Sequence, residues 1–244
     1  MSFDVDHLRA TEFPAVTSGG TVYLNNASTG PMPRRSLDAL HAFNAMRAEP
    51  HRITLEDQFG TAARARELIA RLINAEPGEI ALMVNTTYGI NLAARALRLG
   101  PGDVVVGCDK EFPANIYPWM ALARDGVRFD MVPCQGVLPD EDAIVAALDR
   151  PGVRALAISW VSFATGYRVD LARLGRECRA RGIYLVVDAM QGVGALMLDV
   201  RETPVDILAC GGQKWLLSPW GTGFVYVRDE LVQRLEPYAV GWMA

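Results

Sequence analysis

The chain has 244 residues, 50% of them apolar and 21% charged, with a formal net charge of −4; this is enough to bury a full core in one large domain or two small ones. Its arginines are scattered rather than striped, which argues against nucleic-acid binding. No apolar stretch approaches the ~20 residues of a membrane span, and the acidic start Met1–Asp6 does not read as a secretory signal, so a cytoplasmic globular protein is expected.

In chain order, Tyr23–Pro31 is a short apolar piece running into turn residues, and therefore reads as a loop. Helical periodicity follows over Ser36–Arg47 and Leu55–Ile73, with Pro50 between them. Short apolar runs then alternate with amphipathic stretches. The runs are Ile80–Val84, Val104–Val106, Ala155–Ser159, Tyr184–Val187, Ile207–Ala209 and Phe224–Val227; the helix patterns between them include Ile90–Leu97, Asp140–Leu148 and Leu171–Arg181. Strands alternating with helices predict an α/β fold, a mostly parallel sheet covered by helices on both faces. Ligands of such sheets sit beyond the carboxyl ends of the strands.

The chemistry-bearing residues are few. Of 24 basic side chains, two are lysines, Lys110 and Lys214. A guanidinium stays protonated, so only a lysine can supply a neutral amine to attack a carbonyl. Lys214 follows the run Val205–Cys210 through Gly211-Gly212-Gln213, a small-residue turn where an amine could be held against a cofactor aldehyde. The three histidines, His7, His41 and His51, all precede residue 52. That leaves few routes to a Ser/His/Asp site or a zinc site, and no metal is expected. Cys108, Cys134, Cys178 and Cys210 form no CxxC pair and read as reduced thiols, mostly buried.

Four strand ends carry polar residues. Asn85–Asn91 runs from a strand into a helix, whose free amides and dipole suit a phosphate, although Asn85 or Thr86 could equally serve as an N-cap. Glu111–Asn115 places Phe112 where it could stack on a flat heterocycle or join the core. Asp188 ends the run Tyr184–Val187; a carboxylate at that depth needs a partner, which could be a protonated pyridine nitrogen, a helix N-terminus or an arginine. No Walker motif occurs, and Gly192-Val193-Gly194 reads as a turn.

From about Tyr23 to Gly241 this combination resembles the class V aminotransferase family, fold-type I pyridoxal-phosphate enzymes that include cysteine desulfurases, isopenicillin-N-epimerase-like proteins and kynureninase. Tyr23–Pro33 is similar to the family's entry loop, Asn85–Asn91 to its phosphate turn, and Val161–Gly166 to its substrate loop. Asp188–Gln191 is similar to its Asp-x-x-Gln element, and Asp206–Gly223 to its lysine segment. The resemblance implies a three-layer αβα large domain that binds pyridoxal 5'-phosphate. In it Lys214 would form the internal aldimine and act as base for the α-proton, and Asp188 would pair with the pyridine nitrogen. Gln191 would meet the ring hydroxyl, Thr86 and Thr87 the phosphate with Gln213 beside it, and Phe112 would stack on the ring. Asn26, Ser28 and Ser162 would face the substrate.

Three positions depart from the family pattern: Phe163 where Asn is common, Gln213 where His is common, and Gly211 where a phosphate-binding Ser is often found. The resemblance divides the chain into an N-terminal segment, 1–20, and the cofactor domain, 21–244, with the small C-terminal domain absent. The implied activity is transamination, epimerisation or C–S/β-elimination on an amino acid or related amine, in a homodimer. The alternative is a truncated, catalytically silent module that binds the cofactor or dimerises.

Overall fold

The computed structural model describes residues 4–18, 20–237 and 239–240. Seven strands form one sheet: β1 (Ile80–Met83), β2 (Val104–Cys108), β3 (Arg128–Val132), β4 (Val153–Ser159), β5 (Tyr184–Asp188), β6 (Ile207–Gly211) and β7 (Gly223–Val227). Their order is β1-β7-β6-β5-β4-β2-β3, and β7 alone runs against the other six. The expected mostly parallel, helix-covered sheet is therefore present.

The central strands read as unbroken apolar runs because both of their faces are covered. Every residue of β2 and β6 is buried. Alternate residues divide between two cores. Val106, Leu156, Leu185 and Leu208 pack on one side with Ile73, Ile144 and Leu174; Val105, Ala155, Val186 and Ala209 pack on the other with Ile90, Ala93 and Trp119. Each Val, Leu or Ile among them contributes roughly 1.5–3 kcal/mol by leaving water.

Five helices matter for the site: α1 (Arg34–Met46), α2 (Thr61–Ile73), α3 (Thr86–Ala96), α4 (Glu141–Ala147) and α5 (Leu171–Ala180). One sequence expectation needs correction, and one strand leaves no signal in the sequence. The helix read over Leu55–Ile73 is regular only from Thr61, because Glu56–Gly60 is wound as a π-helix. Strand β3 shows no buried apolar run. Its Arg-Phe-Asp-Met-Val pattern lies at the sheet edge, where Asp130 pairs with Arg128 and Arg150, so no apolar run betrays it. No helix among the described residues is long and apolar enough to cross a membrane.

Helix α3 lies unusually close to β6. A Cβ added at Gly89 would come 2.7 Å from the Ala209 Cβ, inside any real contact distance. Gly89→Val is therefore expected to destabilise the fold by about 1–3 kcal/mol in a urea denaturation series. An unchanged midpoint would show that the helix is free to move away. The tight seam has a functional consequence, since the first turn of α3 and the end of β6 both carry candidate site residues.

Candidate active site

The carboxyl ends of β1, β2, β4, β5 and β6 open onto one cavity of about 650 Å³. At the β1–α3 turn, Asn85 is the N-cap, its Oδ1 accepting from the Tyr88 amide at 2.8 Å. The buried Thr86 hydroxyl accepts from the Gly211 amide at 2.8 Å and donates to the Met190 sulfur at 3.3 Å, tying α3 to the ends of β6 and β5. Thr87, one residue on, is exposed and faces the same cavity. The helix's first amides add a set of donors without intrahelical partners.

Asp188 ends β5 between Ser159 of β4 and Ala209 of β6 in register. It is buried, and one carboxylate oxygen accepts from the Met190 amide at 2.9 Å. Among the described residues no cation forms an ion pair with it, which removes the arginine partner considered from the sequence. Burial pushes its carboxyl up to about 7, against the pull of the Met190 amide; the nearby Glu111 raises it further and Lys214 lowers it. Glu111 accepts from the Ser159 amide at 2.7 Å, from the Ser159 hydroxyl and from Asn115 Nδ2, and burial raises its carboxyl as well.

Lys214 follows the next strand, β6. Its amine is half-buried and lies 5.8 Å from the centroid of the Phe112 ring. Burial holds the ammonium below the usual lysine range, with Asp188 and Cys210 acting the other way. Phe112 meets Phe163 edge-on, with centroids 5.2 Å apart, so the departure at residue 163 makes an aromatic corner over the cavity. The Gln213 side chain reaches back over Gly211, where an added Cβ would stand 2.8 Å from its Oε1. That Oε1 is buried with no hydrogen-bond partner.

The loop at 25–30 closes one side. The Gly30 amide donates to the Gln213 carbonyl at 2.9 Å, and Gln191 Nε2 donates to the Ala27 carbonyl at 2.9 Å while its Oε1 accepts from the Trp215 indole at 2.8 Å. One Nε2 hydrogen of Gln191 remains for a ligand. Gly30 sits directly on the Lys214 carbonyl with no room for a side chain. The turn after the lysine holds Leu217 at φ +53, a left-handed conformation that costs a non-glycine residue about 1–3 kcal/mol.

Of the ten residues singled out from sequence, eight line this cavity: Ser28, Thr86, Thr87, Phe112, Asp188, Gln191, Gln213 and Lys214. Two are placed elsewhere. Asn26 is passed over while Asn25, Ala27 and Ser28 line the wall. The Ser162 hydroxyl accepts from the Ala164 and Thr165 amides, closing its own turn beside a separate small cavity. Met190 and Trp220 line the site without having been read from sequence, since an isolated Met or Trp has no pattern to mark it.

A larger groove of about 890 Å³ runs past Arg71, Tyr167 and Asp199. Two of its polar pairs are engaged with each other, Tyr167 with Glu141 at 3.0 Å and Asn74 with Asp199 at 2.8 Å. The smaller cavity, with an amine, a buried carboxylate, an aromatic face and unpaired donors and acceptors, is the one equipped for chemistry.

The family model for Aminotransferase class-V matches residues 22–242. Isopenicillin N epimerase of Streptomyces clavuligerus is 36% identical over 227 residues, covering 91% of this chain and 57% of that protein. A probable cysteine desulfurase of Methanothermobacter thermautotrophicus is 34% identical over 228 residues, 90% of this chain and 56% of that one. Among solved structures, the cysteine desulfurase CsdA of Escherichia coli matches with a TM-score of 0.87 at 31% identity, covering 99% of this chain and 62% of that one. The C-DES protein with glycine covalently linked to its PLP cofactor matches at 0.88 and 26% identity, over 99% of this chain and 63% of that one. The chain thus spans a little over half the length of the curated relatives it matches.

Proposed function

Because the chain belongs to the class V aminotransferase family, we propose that its cavity holds pyridoxal 5'-phosphate and that the protein removes the α-proton of an amino acid or related amine. The observation that carries this reading is the pairing of Asp188 and Lys214. They stand at the ends of adjacent parallel strands and face one cavity, the carboxylate without a cation and the amine partly desolvated.

The residues present fit the cofactor. Buried Asp188 lacks the positive partner that a protonated pyridine nitrogen would supply. Phe112 offers a ring face, Gln191 a spare N–H for the ring hydroxyl, and the orphaned Gln213 Oε1 an unused acceptor. Thr87 and the free amides of α3 suit the phosphate, with Thr86 fixing the turn that presents them. Lys214 would hold the aldehyde carbon.

When bound, the cofactor supplies an electron sink for the pair left as a bond to the substrate α-carbon breaks. The chain's own residues do the rest. Asp188 would keep the ring nitrogen charged, Phe112 and Phe163 would cover one side of the ring, and Lys214 Nζ would take the proton from Cα and return it. Ser28, on the cavity wall, would touch the substrate. None of the four cysteines lines the cavity, so the reading rests on proton transfer by Lys214, with epimerisation, transamination or β-elimination as its outcomes. Residues 21–244 then form the cofactor-binding large domain. A homodimer belongs to the same reading, supported by the apolar side chains Leu37, Leu40, Phe43 and Met46 left exposed along α1.

The test is α-proton exchange. The purified chain, supplied with pyridoxal phosphate and a panel of amino acids in deuterated water, is expected to wash out the Cα–H signal of at least one of them by proton NMR. Full cofactor occupancy with every α-proton retained would establish the silent-module alternative.

A further inference from the structure

Away from the candidate active site, two thiols distant in sequence meet. Cys108 is the last residue of β2, and Cys134 follows β3 by two residues. Because β2 and β3 are parallel neighbours with Cys108 opposite Val132, their exits bring the two sulfurs to 3.5 Å. Asp109 stands beside them, its Oδ1 accepting from the Cys134 amide at 3.2 Å. The two sulfurs and a carboxylate oxygen lie within 4.8 Å of one another, the one such convergence of His, Cys, Asp or Glu ligand atoms among the described residues. A cavity of about 10 Å³ borders all three side chains, roughly the room one water or one hydrated ligand position requires.

We propose that Cys108, Asp109 and Cys134 bind one thiophilic divalent cation of the zinc class, in a site independent of the pyridoxal-phosphate reading. As thiols the two sulfurs share a hydrogen bond at 3.5 Å. To hold a tetrahedral ion at about 2.3 Å each they need open only to about 3.8 Å, a smaller displacement than closing to the about 2.05 Å of a disulfide. Ligand type selects the metal, since two soft sulfurs with one carboxylate favour zinc over magnesium or calcium.

On binding, each thiol releases its proton to solvent and directs a sulfur lone pair to the ion, and Asp109 supplies an oxygen. Water fills the fourth position. The three negative charges so formed are balanced by the divalent ion together with Lys110, whose ammonium donates to the Gly136 carbonyl just past Cys134. The ion would clamp the exits of β2 and β3 at the root of the segment that carries Glu111 and Phe112.

The full chain, kept reduced with a phosphine, is dialysed against micromolar zinc chloride and its metal content measured. About one zinc per chain is expected, with release of two protons per ion in weak buffer. Cys134→Ser removes a half-exposed ligand. Asp109→Asn keeps the acceptor for the Cys134 amide while removing the charge, so a folded circular-dichroism spectrum is expected for both. Each should weaken binding roughly tenfold or more. No zinc after dialysis, or equal retention by Cys134→Ser, would overturn the site.

Discussion

Lys214→Ala is expected to lower α-proton exchange by roughly 10³-fold or more, because one amine is assigned both the hold on the cofactor and the proton transfer. The effect should be chemical rather than structural. The Lys214 side chain is half-buried and takes part in no ion pair among the described residues, so its truncation leaves the sheet intact. Two measurements separate this from a general loss of folding. First, borohydride reduction of wild-type protein followed by peptide mass analysis should place the cofactor's mass on the peptide containing Lys214 and not on that containing Lys110. Second, a small primary amine added to Lys214→Ala should restore part of the exchange. Lys214→Arg should be as inactive as the alanine variant and should resist that rescue, since a guanidinium fills the space without ever offering a neutral nitrogen. Cofactor fixed to Lys110, or a Lys214→Ala variant at wild-type rate, would remove the assignment.

Asp188→Asn should act in opposite directions on function and on stability. In the cofactor-free protein the folded carboxyl is raised from 3.8 to about 7 by burial, so between those values the folded state binds more protons than the unfolded one. Stability from this residue is fully present below pH 3.8, falls as pH rises through 7, and is lost above it. The change amounts to roughly 4 kcal/mol from this residue alone, at 1.36 kcal/mol per pH unit. Asparagine has no proton to lose. The unfolding free energy of Asp188→Asn relative to wild type should therefore rise between pH 5 and pH 8 in the absence of cofactor. Exchange activity should fall by roughly 10²–10³-fold, the loss typical of removing one preorganised electrostatic contact. With cofactor bound, wild type gains the positive partner and its relative deficit at pH 8 should disappear. A stability difference independent of pH would mean that Asp188 is already ionised and paired within the protein. A variant that exchanges α-protons at the wild-type rate would show that the carboxylate has no part in the chemistry.

These two residues were legible without coordinates for different reasons. Lys214 stands out because the chain otherwise uses arginine, and Asp188 because it interrupts an apolar run at a strand end. Their environments were not legible. Whether Asp188 met an arginine, a helix end or nothing depended on what neighbouring strands placed beside it, and the register with Ser159 and Ala209 leaves its carboxylate facing the cavity. Thr86 shows the same limit. Sequence marks it as a hydroxyl at a helix start, but the Gly211 amide and the Met190 sulfur engage that hydroxyl, and both partners lie over a hundred residues away. Ser162 is marked by its place in a motif, and only the fold shows that its hydroxyl accepts from the Ala164 and Thr165 amides and closes a local turn.

Local sequence determined the alternation of buried strands and amphipathic helices, the family, and the residue types available for chemistry, because periodicity and composition act within a few residues of chain. Tertiary structure alone decided that β3 pairs at the edge, that Gly89 lets α3 approach β6, that Gln213 Oε1 is left without a donor, and that Cys108 meets Cys134. Each of these depends on which strand lies beside which. That order, β1-β7-β6-β5-β4-β2-β3, is set by the packing of both sheet faces at once, which no single stretch of sequence encodes.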